Sequence, residues 1–527
     1  MKSTTLILFL ICALSFILRI YLLDKIPNSI SGDEAAFGYN AYSILKTGRD
    51  EFGYKYPLYF RSFDDYKNPL FGYALIPFIA VLDLTEWSIR FPSVISGMAV
   101  VLLFFLITRK LSGDTKLSLT VAFLAAISPW LIQYSRVAIE VELAIFLTLF
   151  GLFLFLKGKE KTIYYIFSAV VWGLAFYAYY SSKVWILLFV PYLLLIGRKI
   201  DRYLTLGIVL FVIMVLPYFY LLKTTNIGLR SYAISVFADQ AQIQRDINLM
   251  AADWEKNIKI GKLIHNRRLT SLNQALGGYL KILSPEILFA QSGYNQISST
   301  RLLYLWQLPA ILLGTIFLLR NKNLFLFVVI WLLIGFLPGG LTALPIFDRR
   351  ILLASYPLIL LTAIGLVNLI RYLFRDAFLV KVVLVLLLAF SFYLYLHNYF
   401  IHGQNEVVYL WGNGMKEVVS ATQKEKKGYD EVVVSMKLNA PLTYFLFYEK
   451  YPPEKYLKEG GTISGGFMEE VNRFDKYSFK FLRKGDLKQN ILYIWNIDEA
   501  TPELFPLHTI FMSDGKPLAQ IGVFQPK

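Results

Sequence analysis

Residues 6–23 read LILFLICALSFILRIYLL, an almost wholly apolar run with Arg19 near its end. About 20 such residues cross the hydrocarbon core of a bilayer as a helix. Because no small-residue cleavage site follows the run, we expect an uncleaved membrane anchor rather than a signal peptide. Further runs predict about eleven spans in all, the others lying near residues 89–108, 117–132, 137–156, 163–179, 184–197, 203–222, 301–319, 324–338, 351–370 and 380–397.

The composition of the whole chain agrees with a polytopic α-helical membrane protein. Of its 527 residues, 56% are hydrophobic and only 17% are charged, whereas about 25% of residues are charged in soluble proteins. This apolar content excludes a disordered chain, and the runs lack the alternation of a membrane β-barrel. The one cysteine, Cys12, lies in the first run, so no disulfide framework is expected.

The net charge of +16 is distributed unevenly between the predicted loops. Excess lysine and arginine mark cytoplasmic loops, and here they mark alternate loops if the N-terminus is cytoplasmic. The short outer loops then carry only Arg136, Lys183, Arg349 and Arg350, while the inner loops carry Arg109, Lys110, Lys116, Lys157, Lys159, Lys161, Arg198, Lys199, Arg202, Arg320, Lys322, Arg371, Arg375 and Lys381. We therefore expect a multi-pass plasma-membrane protein, and the charge needs no nucleic-acid partner.

This topology divides the chain into two predicted domains. Residues 1–397 form a transmembrane domain with a first outer loop at 24–88 and another at 223–300. Residues 398–527 form a small extracytoplasmic α/β domain, with strand-like runs at Val432 to Ser435 and Ile491 to Trp495. The Asp514-Gly515 pair between apolar stretches predicts a hairpin turn.

The first outer loop begins with Ser31-Gly32-Asp33-Glu34, directly after the first span. Ser31 and Glu34 have the spacing of a capping box, and Gly48 is a typical helix stop. The pattern predicts a short surface helix with two carboxylates in its first turn. Glu34 is then a capping residue, whereas Asp33 either complements the helix dipole or is free for chemistry. The apolar run 70–82 predicts a second surface helix rather than a crossing.

Charged residues at the predicted outer mouths of the spans are candidates for a site. Arg136 and Glu140 have the i, i+4 spacing of one helical face, and Arg349 and Arg350 precede the tenth span. Ionisable groups at membrane depth are costly and usually face a wet cavity or each other. One interpretation is that these residues form a site for an anionic lipid headgroup beside a carboxylate base. The alternatives are a structural salt bridge between Arg136 and Glu140, and contact of Arg349 and Arg350 with lipid headgroups.

Other catalytic signatures are missing from the sequence. The four histidines (His265, His397, His402 and His508) do not have metal-ligand spacing. There is no P-loop and no dinucleotide-binding glycine motif. We therefore expect no cofactor, and a divalent metal stays an open alternative that the sequence does not indicate.

Three sequence features in order resemble the GT-C membrane glycosyltransferases. They are the Asp33-Glu34 pair after the first span, Lys67 with Pro69-Leu70 at the end of the loop, and Arg90-Phe91-Pro92-Ser93 opening the second span. The likeness is to family 39, which includes protein O-mannosyltransferases and lipid A aminoarabinose transferases. It covers about residues 1–400 and is strongest over 30–145.

The resemblance implies transfer of a sugar from a polyprenyl-phosphate carrier. It implies that Asp33 is the catalytic carboxylate, with Glu34 beside it, and that Lys67 helps to hold the carrier phosphate. Arg136 and Glu140 match a basic and an acidic position of the family, where relatives often have Asp in place of Glu140. Asp65 and Tyr66, next to Lys67, are predicted to support the site. The tail lacks the sugar-binding repeat domain of eukaryotic protein mannosyltransferases, which speaks against a protein acceptor.

The function predicted from the sequence is inverting transfer on the outer membrane face, with Asp33 as general base. The donor phosphate would meet Lys67, Arg136 and Arg349 or Arg350, and the acceptor would be a glycan, a lipid or a protein. One alternative is a transporter or flippase for an anionic lipid, which discontinuous helices would favour. Another is a non-catalytic membrane scaffold.

Overall fold

The computed structural model describes residues 2–63, 65–196, 201–228, 232, 234–290, 301–343, 348–373, 377–406, 412–465 and 470–525. Arg198, Lys199, Arg375 and parts of the predicted outer loop 223–300 lie outside the described residues. The chain folds as two compact units. The first comprises residues 1–18, 96–134 and 141–398, and the second comprises 19–95, 135–140 and 399–527. The predicted division at residue 397 stays a prediction.

Apolar helices dominate the membrane part of the chain. Six described helices are long and apolar enough to cross a bilayer, and shorter apolar helices accompany them. The fold class is therefore confirmed as a polytopic α-helical membrane protein, whereas the count of eleven spans stays a prediction. The helices of this part are α1 (Lys2–Ile20), α4 (Glu86–Ser112), α5 (Thr115–Ala126), α6 (Pro129–Tyr134), α7 (Glu140–Lys157), α8 (Tyr164–Phe176), α9 (Tyr180–Leu195), α10 (Arg202–Thr224), α14 (Gln307–Leu318), α15 (Lys322–Gly340), α16 (Ser355–Asn368) and α17 (Phe378–His397).

The predicted first outer loop contains two helices and a hairpin. Helix α2 runs from Gly32 to Thr47 and α3 from Leu70 to Leu82, as the sequence predicts. Strands β1 (Phe60–Ser62) and β2 (Asp65–Lys67) pair antiparallel between them. Gly48 ends α2 in the left-handed conformation, with φ of 69°, and its amide donates to the Ile44 carbonyl.

The predicted outer loop 223–300 contains helices that the sequence reading missed. They are α11 (Gln240–Glu255), α12 (Gly261–Ile264) and α13 (Arg267–Ile282). Asp239 caps α11 and Asn266 caps α13 through side-chain hydrogen bonds. These caps and the helical spacing of Leu269, Leu272 and Leu276 are the signals that were available in the sequence.

The C-terminal region is an α/β domain built on a six-stranded sheet. The strand order is β4-β5-β3-β6-β8-β7, with β3 parallel to both its neighbours and the remaining pairs antiparallel. The predicted strands and the turn at Asp514-Gly515 are confirmed. The elements are α18 (Gly403–Glu406), α19 (Met415–Glu425), β3 (Glu431–Ser435), α20 (Pro441–Tyr448), α21 (Pro453–Lys458), β4 (Arg473–Phe474), β5 (Tyr477–Lys480), β6 (Ile491–Asn496), β7 (Leu504–Phe511) and β8 (Pro517–Phe524).

Two boundaries differ from the sequence reading. The predicted span 117–132 is broken, because α5 ends at Ala126 and Pro129 opens the new helix α6, where its missing amide costs nothing. Helix α7 begins only at Glu140, and Arg136 precedes it in irregular backbone. The prediction that Arg136 and Glu140 share a helical face is therefore wrong.

Candidate active site

Helix α2 fixes the position of the two carboxylates in its first turn. The Ser31 hydroxyl accepts a hydrogen bond from the Glu34 amide, and the Glu34 carboxylate accepts one from the Ser31 amide at 2.8 Å. This complete capping box holds the start of the helix. Asp33, one residue earlier, is not part of the box.

Lys67 meets Asp33 across the loop. Its Nζ atom lies 2.5 Å from Oδ1 of Asp33, and it reaches there from the end of β2. The Lys67 side chain is 3% exposed, whereas that of Asp33 is 34% exposed. The pair thus has a buried cation and an accessible carboxylate, so a ligand can approach it from the Asp33 side.

Aromatic rings complete the surroundings of the Lys67 ammonium group. The rings of Phe37, on α2, and Phe63, after β1, each have their centroids 5.0 Å from Nζ. Such contacts favour a cation and exclude water from it. The positive charge is therefore held at one place beside Asp33.

Glu34 also makes two buried contacts outside the capping box. Its Oε1 accepts from the Arg90 Nε at 3.1 Å and from the Ala138 amide at 2.8 Å. Both partners of the Glu34–Arg90 ion pair are fully buried. Together with the capping box, these contacts support a structural role for Glu34. Its predicted catalytic role stays a prediction.

Two buried arginines hold the chain that leads into α2. The Arg90 guanidinium donates to the carbonyls of Leu23, Pro27 and Ser29. Charged hydrogen bonds are roughly twice as strong as neutral ones. Arg90, which the sequence reading noted only as part of a motif, is thus a main support of the Asp33 position.

Arg136 contacts the same stretch of chain from the other side. It donates to the carbonyls of Arg19, Tyr21 and Ile26 and packs on the rings of Tyr399 and Phe400. Its side chain is fully buried. These contacts give Arg136 a structural role, and its predicted contact with a donor phosphate stays a prediction.

The C-terminal domain packs directly on α2, which the sequence reading missed. The ring of Phe447 leaves no room for a side chain at Gly38, since a Cβ there would lie 2.7 Å from it. The Tyr39 hydroxyl donates to the Tyr451 carbonyl at 2.9 Å. Burial, and then the charges of Glu34 and Asp33, raise the pKa of Tyr444. Tyr444, Phe445 and Phe447 are buried, and Tyr448 is half-buried.

A second link between the loop and the domain is centred on Glu51. Its carboxylate accepts from the Asn40 amide at 2.7 Å and from the Thr462 hydroxyl at 2.8 Å. The Thr462 amide donates to the Glu51 carbonyl at 2.9 Å. Burial raises the pKa of Glu51 to about 7, although these hydrogen bonds lower it. Near physiological pH, Glu51 is therefore partly protonated, and its side chain joins α2 to the C-terminal domain.

The remaining predicted site residues fall into two groups. Asp65 and Tyr66 belong to β2 with Lys67, and Glu140 is the first residue of α7. Arg349 and Arg350 belong to the other compact unit, in a 3₁₀ helix over Asp348–Ala354, where Arg349 is half-buried and Arg350 is buried. Within that unit the Tyr134 hydroxyl donates to Asp348 at 2.7 Å.

The described residues contain no group of three acidic, histidine or cysteine side chains arranged to hold a metal ion. In the second unit, the accessible Asp33 carboxylate lies beside the buried Lys67 ammonium group. Such a pair can accept a proton and bind an anion at neighbouring points.

Comparison with known proteins identifies similar folds. The family described as dolichyl-phosphate-mannose-protein mannosyltransferase matches residues 67–221. The structure of ArnT from Cupriavidus metallidurans bound to undecaprenyl phosphate is similar over 100% of this chain and 99% of that one, with a TM-score of 0.58 at 12% identity. The chain has the fold of the GT-C membrane glycosyltransferases and resembles family 39.

A second solved structure has a similar fold. The archaeal oligosaccharyltransferase AglB from Archaeoglobus fulgidus, in complex with an inhibitory peptide and a dolichol-phosphate, has a TM-score of 0.50 at 14% identity. The match covers 85% of this chain but only 64% of AglB. The chain thus spans less than two thirds of that relative's length. No curated protein matches the sequence.

Proposed function

We propose that this protein transfers a sugar from a polyprenyl-phosphate-linked donor to an acceptor on the outer face of the plasma membrane. The observation that carries the proposal is the contact between the accessible Asp33 carboxylate and the buried Lys67 ammonium group. The GT-C fold supports it, as do ArnT and AglB structures that contain undecaprenyl phosphate and dolichol-phosphate.

In the proposed reaction the acceptor hydroxyl attacks the anomeric carbon from the face opposite the phosphate. Asp33 takes the hydroxyl proton as the new bond between oxygen and carbon forms. The bond between the anomeric carbon and the phosphate oxygen breaks, and the electron pair leaves with the phosphate. This displacement inverts the anomeric configuration and regenerates the polyprenyl phosphate.

Lys67 has a double role in this proposal. In the free enzyme its charge is balanced by the Asp33 carboxylate, which it contacts. When the donor binds, its phosphate shares the ammonium group, and this preorganised charge stabilises the phosphate as it leaves.

The test is a transfer assay with a purified protein and a polyprenyl-phosphate sugar in detergent. Asp33→Asn keeps the shape of the side chain but removes the base, so transfer should fall by at least about a hundred-fold. Glu454→Gln is the matched control, since it removes the charge of a carboxylate at an exposed position. Normal turnover of the Asp33→Asn protein would contradict the proposal.

The assay also separates the proposal from the transport alternative. A flippase for an anionic lipid would need the buried positive charge but no base, and it would release no product. Reconstituted vesicles that move a labelled polyprenyl phosphate without forming a glycoside, with equal rates for wild type and Asp33→Asn, would favour transport.

A further inference from the structure

Four helices of the first unit enclose an apolar cavity that has no place in the proposed reaction. Helices α7, α8, α9 and α10 surround a space of about 180 Å³, lined by side chains that include Phe155, Trp172, Ile186, Val190, Leu204 and Phe211. The indole nitrogen of Trp172 donates to the Thr148 carbonyl at 3.1 Å. The polar atom of this ring is thus already paired, and the ring offers the cavity a hydrocarbon surface.

A cavity of this size and lining favours hydrocarbon over water. An apolar cavity of about 150 Å³ remains dry and takes up a benzene-sized apolar molecule. Water would need polar partners, and the lining supplies almost none. Filling the space with a hydrocarbon chain restores contacts that the surrounding rings otherwise lack.

The cavity is open at the side of the helices. Leu187 on α9 and Ile208 on α10 line it and are 45% and 40% exposed. In a polytopic membrane protein, exposed leucine and isoleucine on apolar helices face lipid chains. A hydrocarbon chain can therefore enter from the bilayer without crossing the polar surface.

Basic residues lie at the helix ends nearest the cavity. Phe155 is two residues from the end of α7 at Lys157, and Leu204 is two residues from the start of α10 at Arg202. The acids nearby are engaged: Glu160 pairs with Lys110, and Asp201 caps α10 by accepting from the Leu204 amide. Lys110, Lys157 and Arg202 outnumber Glu160 and Asp201, so these helix ends carry a net positive charge, which attracts an anionic headgroup.

We propose that this cavity binds one acyl chain of an anionic glycerophospholipid whose phosphate lies at Lys157 and Arg202. The charge pattern of the sequence predicts that these helix ends face the cytoplasm, whereas the sugar donor is proposed to act from the outer side. The occupant is therefore a phospholipid of the cytoplasmic leaflet and not the sugar carrier.

Native mass spectrometry of the full chain tests this inference. The purified, delipidated protein is titrated in detergent with palmitoyl-oleoyl phosphatidylglycerol, with the corresponding phosphatidylcholine, or with a polyprenyl phosphate. We expect one tightly retained phosphatidylglycerol. Ile208→Trp, which places an indole in the cavity mouth, should lower its occupancy at least about tenfold, because the buried methylene groups are displaced.

A neighbouring position on α10 supplies the matched control. Leu206 is 54% exposed and does not line the cavity, so Leu206→Trp should bind like wild type. Arg202→Gln should weaken phosphatidylglycerol several-fold and phosphatidylcholine less, because the choline cation already offsets the charge of its phosphate. If the Ile208→Trp protein is misfolded, as loss of cooperative unfolding would show, Leu187→Trp on α9 is used as the cavity variant instead. Equal occupancy in wild type and the cavity variant, or preferential retention of the polyprenyl phosphate, would overturn the inference.

Discussion

The Nζ atom of Lys67 lies 2.5 Å from Oδ1 of Asp33, between two aromatic rings. This contact means that the proposed base and the proposed phosphate ligand neutralise each other in the free protein. A donor phosphate must therefore compete with Asp33 for the ammonium group.

The competition predicts opposite effects on donor binding for the two partners. Lys67→Ala should weaken donor binding by about ten- to a hundred-fold, since a charged hydrogen bond to phosphate is worth roughly 1.5–3 kcal/mol. Asp33→Asn should bind the donor at least as tightly as wild type while transferring little. Binding of a fluorescent polyprenyl-phosphate sugar measures both, and weaker binding by Asp33→Asn would contradict this competition.

Glu34→Gln should affect stability more than chemistry. The change leaves the fully buried Arg90 without its counter-charge, and breaking one side of a buried pair costs about 3 kcal/mol or more. We expect a clearly lower thermal unfolding temperature in detergent. The surviving folded fraction should retain transfer activity far above that of Asp33→Asn, and an inactive but fully stable Glu34→Gln would assign Glu34 to the chemistry instead.

The pKa of Glu51 predicts a pH dependence of stability. Its folded-state pKa is about 7 against a usual value of 4.5, so the folded state holds a proton that the unfolded state releases between these values. The contribution of Glu51 to the free energy of unfolding should therefore decrease as pH rises from 4.5 to 7.

Thermal unfolding between pH 4.5 and 8 measures this slope. Glu51→Gln should reduce it and raise the unfolding temperature at pH 8, because the amide can keep the contact with Asn40 without a buried charge. Glu454→Gln, at an exposed position, should leave the slope unchanged. If the Glu51→Gln protein keeps the wild-type pH dependence of its unfolding temperature, the proton is bound by another group. Asp50 is then the next candidate, since burial raises its pKa to about 6.

Arg349 and Arg350 remain predicted phosphate ligands from the other unit. Arg349→Ala should weaken donor binding by about ten- to a hundred-fold if its guanidinium meets the phosphate. Arg350→Ala is the corresponding variant if Arg349 faces lipid. If both variants bind the donor as tightly as the wild type, these two charges only anchor the helix.

The proposed orientation can be tested with single cysteines on intact cells. In a Cys12→Ser background, cysteines replace Lys159 and Lys424, which are both exposed. An impermeant thiol reagent should label position 424 and leave position 159 unlabelled. Equal labelling would contradict the cytoplasmic placement of the loop after α7.

The sequence alone determined those features whose signals are local. The capping box of Ser31 and Glu34, the stop at Gly48 and the hairpin at Asp514-Gly515 each depend on residues within a few positions of one another. The apolar runs fixed the fold class for a similar reason, since a backbone in lipid must satisfy its own hydrogen bonds as a helix. Short motifs also singled out Asp33 and Lys67.

Only the tertiary structure decided what these residues contact. Arg90 lies 56 positions from Glu34, and Tyr451 lies 412 positions from Tyr39, so no periodicity links them. It separated Asp33 from Glu34, neighbours in sequence, because one side chain is accessible and the other is buried in an ion pair. It also removed Arg136 from the helix of Glu140. Burial and long-range pairing are properties of the folded chain, and they decide which of two adjacent carboxylates is accessible for chemistry.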